Sequence, residues 1–270
     1  MIVSDVIISL TTERISLACV LVMILALTTW KADLRVARPL LVASFRLIVQ
    51  LSLVGLILEY VFEINDFLLV SLIALVMLLV AGKEVSVRQK YRVSGRWGYG
   101  IGTCSMFVSS FAVSVFGLAA IIRAENWWDP RYSIPVLGML LGNTMTAVAL
   151  SLDRFTTYVW EGRETIEAKL LLGHSSQEAL RIILRDSLRA GLMPVINSMA
   201  IAGIVSLPGM MTGQILAGNS PVSAVRYQIV IWLLIAVGCG FGSMLVVQMA
   251  AKRVFDERER LRTDRLYKVK

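Results

Sequence analysis

The chain has 270 residues, of which 57% are hydrophobic, and a formal net charge of +8; its mean hydropathy is +0.72. A soluble domain averages roughly 45–50% apolar residues. The excess here falls in runs long enough to cross a bilayer, which excludes a soluble globular protein. The positive charge lies in loops between those runs, the placement of cytoplasmic loops against anionic lipid, so the expected partner is the lipid bilayer and not nucleic acid.

Taken in chain order, the apolar runs are Val6–Trp30, Pro39–Tyr60, Phe67–Ala81, Gly100–Ile122, Ser133–Leu152, Pro194–Ala217 and Tyr227–Ala251. The segment before the first run holds Asp5 and no basic residue, unlike a cleaved secretory signal, so that run reads as a retained span. Basic residues fill alternate loops: Lys31, Arg35 and Arg38; then Lys83, Arg88, Lys90, Arg92 and Arg96; then Arg154 to Arg189; then the tail from Lys252. The other loops are short and carry acids and aromatics, with Trp127, Trp128 and Tyr132 suited to an interfacial belt. The expected fold is therefore an all-α, polytopic helical membrane protein of about seven transmembrane helices. Its N-terminus is expected outside and its C-terminus inside, in the inner (plasma) membrane, with a cytoplasmic helical coupling loop. One membrane domain over residues 1–252, with the loop at 153–193, and a basic tail at 253–270 account for the chain.

Within the spans, Cys19, Cys104 and Cys239 are odd in number and scattered, which argues against a disulfide framework or metal cluster and for small buried side chains. Arg46 in the second span either snorkels to the nearby end or pairs inside with Glu59 or Glu13. In the fifth and sixth spans, Asn143, Thr144, Thr146, Asn197 and Ser198 add polar groups to apolar runs.

The longest loop carries a pattern of its own. Glu161–Leu172 reads as a helix stopped by Gly173, and Ser175 with Glu178 forms a capping-box signature for a second helix. That helix places Arg181, Arg185 and Arg189 at four-residue spacing as a basic stripe opposite an apolar face. The stripe serves as a solvated face, as a contact to lipid headgroups, or as a docking surface for a soluble partner. His174, the single histidine, belongs to this surface rather than to a metal site.

The run "SLPGMMTGQILAG" places Pro208-Gly209 inside the sixth span, followed by Met210, Met211, Thr212 and Gln214. Broken backbone at membrane depth is tolerated where protein or water covers it. The expectation is a pore-lining or gating bend, with Thr212 and Gln214 satisfying freed backbone groups or facing a path. The alternative is close packing, since Gly138/Gly142 and Gly209/Gly213 both have the small-xxx-small spacing. The methionines act as gap-fillers on a moving surface or as soft ligands better suited to Cu(I) than to iron; no metal site is legible.

Three stretches together carry a resemblance: "IPVLGMLLGNTMTAVALSLDR" (Ile134–Arg154), "IEAKLLLG" (Ile166–Gly173) and "INSMAIAGIVSLPGMMTGQILAGNSPVSAVRYQ" (Ile196–Gln228). They resemble the FetB-type iron export permeases, a family with related plant aluminium-tolerance half-transporters. Glu167-Ala168-Lys169 followed by Gly173 also resembles the coupling-loop signature of ABC permeases, apart from the lysine and a Leu-Pro pair that falls at another distance. The resemblance implies an ABC-transporter permease subunit for iron export, working as a homodimer on a separate cytoplasmic ATPase. It assigns ATPase coupling to Glu167, Ala168, Gly173 and the arginine stripe, and the path to the polar and broken segments above. The chain has no G-x-x-x-x-G-K-[ST] loop, Gly82-Lys83-Glu84 being the nearest fragment, so it is not expected to be an enzyme or to bind a cofactor; ATP and Mg belong to the partner. Another metal, a solute such as a sugar nucleotide, or an ATP-independent secondary transporter or channel are the alternatives.

Overall fold

The computed structural model describes residues 12–122 and 126–268, without the side chains of Thr12 and Arg96. The expected start of the first span at Val6 lies outside the described residues. The protein is a polytopic all-α membrane protein: among the described residues six helical stretches are long and apolar enough to cross a bilayer.

Helices α1 (Thr12–Lys31) and α2 (Ala37–Ile64) form a hairpin that packs mainly on itself. Val61 of α2 is buried with Val70 and Ile134, and this contact ties the hairpin to the rest. Helix α3 (Phe67–Val87) starts at Asp66, whose carboxylate accepts a hydrogen bond from the Leu68 N–H at 3.2 Å. The fourth span is built of α4 (Arg96–Met106), a π-helical turn at Phe107–Phe111, α5 (Ala112–Phe116) and a second π-helical turn at Gly117–Ile122.

Helix α6 (Pro130–Glu161) begins with proline in its first turn, where the missing N–H costs nothing, and Asp129 caps it through the Arg131 N–H at 2.9 Å. It runs well past the expected end of its span. After α7 (Arg163–Leu171), α8 (Ser176–Ile201) returns along α6, and α9 (Gly209–Leu216) and α10 (Pro221–Val254) complete the helical part.

Helices α6, α8 and α10 make the core, and small residues let them approach. A Cβ on Gly191 of α8 would lie 2.6 Å from the Ala147 carbonyl oxygen and 3.0 Å from Ser243 Oγ, and would collide with Ser151 Oγ. On α10, Gly238 and Gly242 face Thr144, Ser109 and Val148 in the same way. This is the small-residue packing that brings membrane helices together where lipid offers no hydrophobic driving force.

The tail beyond α10 is folded onto the same end of the bundle. Strand β1 (Tyr91–Val93) pairs antiparallel with β2 (Leu266–Lys268), Val93 opposite Leu266. The Arg265 guanidinium donates to the carbonyls of Arg253 at 2.8 Å and Phe255 at 3.2 Å. Lys90 joins the α3–α4 connection to α6: its N–H donates to Asp153 at 2.7 Å and its ammonium pairs with Glu161 at 3.0 Å.

One expectation changes, and of the two readings of Arg46 the interior pairing is excluded. The sixth span is not one helix over Pro194–Ala217: the helix nucleated at Ser175 continues through Pro194 to Ile201, and the chain then breaks from Ala202 to Pro208. The loop at 153–193 is correspondingly mostly helix. Arg46 pairs with neither Glu59 nor Glu13; its guanidinium lies 3.5 Å from Glu84 of α3, with the arginine side chain more than half exposed. A carboxylate one helix away at the same end meets the charge more cheaply than one along its own helix.

Candidate functional site

The first candidate site is the elbow between α6 and α8. Gly162 turns the chain out of α6, and α7 ends in a reversal at Gly173, whose φ of +89° suits glycine. The Gly173 N–H donates to the Leu170 carbonyl at 3.0 Å and the His174 N–H to the Lys169 carbonyl at 3.1 Å, which satisfies the end of α7. The expected capping box is complete: the Ser175 N–H donates to the Glu178 carboxylate at 2.9 Å, and the Glu178 N–H donates to Ser175 Oγ at 3.4 Å. Ser175's backbone N–H holds the Glu178 carboxyl below the usual carboxylate range.

Helix α7 is anchored by one face only. Ile166 is buried in the main core and Leu170 packs against it, while Glu167 and Ala168 are exposed. At the tip, Leu171 is 88% and Leu172 80% exposed. Two bare leucines beside a glycine reversal, at a helix end outside the apolar spans, form a knob with no partner among the described residues. The tail buttresses it: the Glu259 carboxylate accepts from the Ser176 N–H at 3.2 Å and its hydroxyl at 3.4 Å. A cavity of about 460 Å³ between Glu167, Leu171, His174, Arg258 and Arg260 separates knob and tail.

The arginine stripe does not share this surface evenly. Arg181 and Arg185 line a groove between α8 and the end of α10, and Arg189 is exposed further along α8.

The second candidate site is the break in the return span. Gly203, at φ +83°, donates its N–H to the Ser206 carbonyl at 2.8 Å and closes a tight loop. Ile204 and Val205 stand 86% and 78% exposed at its tip. Pro208 caps α9, and its carbonyl accepts from both the Thr212 N–H at 3.0 Å and the Thr212 hydroxyl at 3.1 Å. Thr212 thus satisfies a backbone group at the break. Met210 packs against the apolar cluster of α6 and α10, and Met211 is buried. Gln214 is half-buried, with Oε1 lacking a hydrogen-bond partner among the described residues.

Helix α10 brings two groups that the sequence reading passed over. Gln228 and Trp232 line a cavity of about 360 Å³ with Met199, Gly203, Pro208 and Met211. Gln228 Oε1 and Trp232 Nε1 are both buried without a hydrogen-bond partner among the described residues. A buried orphan of this kind calls for a ligand, water or a second conformation. The available signal was a glutamine inside an apolar run.

Asn143 and Asn197 are exposed on α6 and α8, the Asn143 side chain donating to the Met139 carbonyl at 2.8 Å. Since Gly191 packs on Ala147 and Ser151, the antiparallel register puts Asn143 and Asn197 at a similar height, roughly 6–12 Å above that contact at 1.5 Å per residue. The structure thus brings these two toward one level and leaves the Pro208–Gln214 group on the α10 side. A Cβ on Gly142, Gly209 or Gly213 would meet nothing within 4 Å, and one on Gly138 only Met77. Packing among the described residues does not use Gly142, Gly209 or Gly213. Among the described residues no cluster of three or more His, Cys, Asp or Glu side chains is placed to hold a metal.

With this geometry in place, comparison with known proteins gives a consistent result. A family model described as "Uncharacterised protein family (UPF0014)" matches residues 12–255. The chain is 32% identical to the "Probable iron export permease protein FetB" of Escherichia coli over 96% of this chain and 98% of that protein. It is 33% identical to a UPF0014 membrane protein of Synechocystis over 88% and 90% of the two chains. It is 28% identical to "Protein ALUMINUM SENSITIVE 3" of Arabidopsis thaliana over 79% and 76%. No solved structure matches.

Proposed function

This chain belongs to the UPF0014 family of membrane proteins, and from that premise we propose that it is the permease subunit of an ATP-driven exporter whose ATPase is a separate chain. The observation that carries the reading is the elbow: Leu171 and Leu172 project bare from a helix whose other face is locked into the core through Ile166. A soluble subunit gripping that knob would move α7, and through Gly162 and the capping box would move α6 and α8 together. These two helices carry Asn143 and Asn197 and lead into the break at 202–208, so motion at the elbow reaches the proposed path through two rigid rods.

Iron is the cargo class that the FetB relative's name suggests. Among the described residues the proposed path presents amide and hydroxyl oxygens and thioethers rather than a carboxylate cluster, which suits a transient path better than tight retention. ATP and Mg act on the partner ATPase, and two copies of this chain in the inner membrane enclose the path, with the open glycines Gly142, Gly209 and Gly213 available for contact between copies.

The test is co-purification of the full chain with candidate ATPase subunits, followed by Leu171→Asp with Leu172→Asp. The expected result is loss of the ATPase from a permease that remains folded. Retention of the ATPase by that variant, or equal retention after residues 163–175 are replaced by a flexible linker, overturns the docking role.

A further inference from the structure

The groove that takes Arg181 and Arg185 has chemistry that ATPase docking does not account for. It lies between α8 and the last turns of α10 and has a volume of about 850 Å³. Three cations border it, Arg181, Arg185 and Lys252, over an apolar floor that includes Leu184, Leu188 and Phe255. The one carboxylate at its edge, Glu178, accepts from Ser175 in the capping box. The ion pairs among the described residues engage Arg46, Arg88, Lys90, His174, Arg260 and Arg262, and none of the three cations of the groove.

Its height in the bilayer follows from packing. Gly191 of α8 meets Ser243 of α10, and the helices run antiparallel, so Arg185 and Gln248 stand at nearly the same level. The apolar run of α10 ends there, at Lys252. On α6 the charges Asp153 and Arg154 come at the corresponding level. This is the boundary between hydrocarbon and headgroups, where basic pockets between spans take acidic lipid headgroups. Further up α10, on the same side as Gln248 and Lys252, Met244 and Phe241 are 44% and 56% exposed and continue the apolar surface into the bilayer.

We propose that this groove is a binding site for an anionic phospholipid. The phosphate lies between the Arg181, Arg185 and Lys252 side chains, the two guanidinium forks matching phosphate oxygens and the lysine ammonium adding a point charge, and the acyl chains lie along Met244 and Phe241. Three unpaired cations select a net negative headgroup over a zwitterionic one. The continuous apolar floor selects a lipid over a free phosphate or a soluble acidic protein. A bound lipid bridges α8 to α10 beside the elbow, and the site stands whether or not the chain works with an ATPase.

The experiment uses the full chain, purified and delipidated, with phosphatidylglycerol and phosphatidylcholine as probes, read by native mass spectrometry and by the thermal shift each lipid produces. Phosphatidylglycerol is expected to bind and stabilise the wild type, and to bind roughly fivefold more weakly for each cation removed in the series Arg181→Gln, Arg185→Gln, Lys252→Gln. Arg189→Gln, outside the groove, is expected to bind as wild type, and glycerol 3-phosphate is expected not to displace the lipid. The proposal is overturned if the triple variant keeps phosphatidylglycerol, if phosphatidylcholine binds equally, or if glycerol 3-phosphate competes. It is also overturned if Arg185→Cys forms a disulfide between two copies, which would place a second protomer in the groove. A triple variant that melts below wild type in plain detergent is scored on Lys252→Gln alone, expected to lose about fivefold.

Discussion

Gly191→Ala tests whether the core is set by helix contact at small residues. The added methyl would lie 2.6 Å from the Ala147 carbonyl oxygen and 3.0 Å from Ser243 Oγ, and would collide with Ser151 Oγ. Both hydroxyls can rotate away, but the carbonyl belongs to α6 and stays unless the helices separate. Alanine favours helix over glycine by up to ~1 kcal/mol, while overpacking a well-filled core costs ~1–3 kcal/mol. Because a backbone atom is in the way, the cost is expected at the upper end, for a net loss of about 1–2 kcal/mol. For a chain of this size that is a fall in Tm of roughly 2–8 °C. Cys239 supplies the assay, being 1% exposed on α10. In a background of Cys19→Ser and Cys104→Ser, a thiol-reactive dye reads the opening of the core on heating. Adding Ser151→Ala should recover less than half the loss, since the carbonyl contact remains. An unchanged or higher melting temperature for Gly191→Ala would refute the packing argument.

Further outcomes follow from the elbow and the tail. Gly173→Val forces a β-branched residue to φ +89°, at about 1–2 kcal/mol of local strain; faster amide exchange over residues 170–175 is expected, with Gly173→Asn closer to wild type. Glu178 has its carboxyl held low by the Ser175 N–H, so its capping contribution is present above the ordinary carboxylate value of about 4.3 and is lost as pH falls through the lower folded value. Far-ultraviolet circular dichroism between pH 6 and pH 3 should show acid loss of helix at the start of α8, absent in Glu178→Gln. Glu259→Ala removes two acceptors for Ser176 and should lower stability by about 0.5–1.5 kcal/mol, read by thermal melting, with exchange at Ser176 raised.

Much of the framework was legible because long apolar runs have one solution in lipid: a helix that satisfies its own backbone. The second, third, fourth, fifth and seventh runs fall inside helices or helical stretches of the structure, and Ser175 with Glu178 announced a helix start that the structure bears out bond for bond. The sixth run was legible as broken, but not as two helices around a loop, because the amphipathic start of α8 and its apolar end read as separate elements across Pro194. Of the glycines that matter for packing between the described helices, Gly238 and Gly242 share the four-residue spacing of Gly138/Gly142 and Gly209/Gly213, while Gly191 stands alone; only contacts between helices tell them apart. Arg46 with Glu84, Glu259 with Ser176, and β1 with β2 join residues far apart in sequence, and no local pattern announces such pairs. Arg181 and Arg185 were visible as a stripe, whereas the side of α8 that they face depends on where α10 ends.

The most direct measurement is ferrous iron movement in sealed vesicles carrying this chain with its candidate ATPase, with and without ATP, for the wild type and for Leu171→Asp with Leu172→Asp. The account predicts transport that requires ATP and the ATPase and disappears in the double variant while its thermal melting stays within about 0.5 kcal/mol of wild type. Iron flux from this chain alone without ATP, or undiminished ATP-driven flux in the double variant, would contradict it.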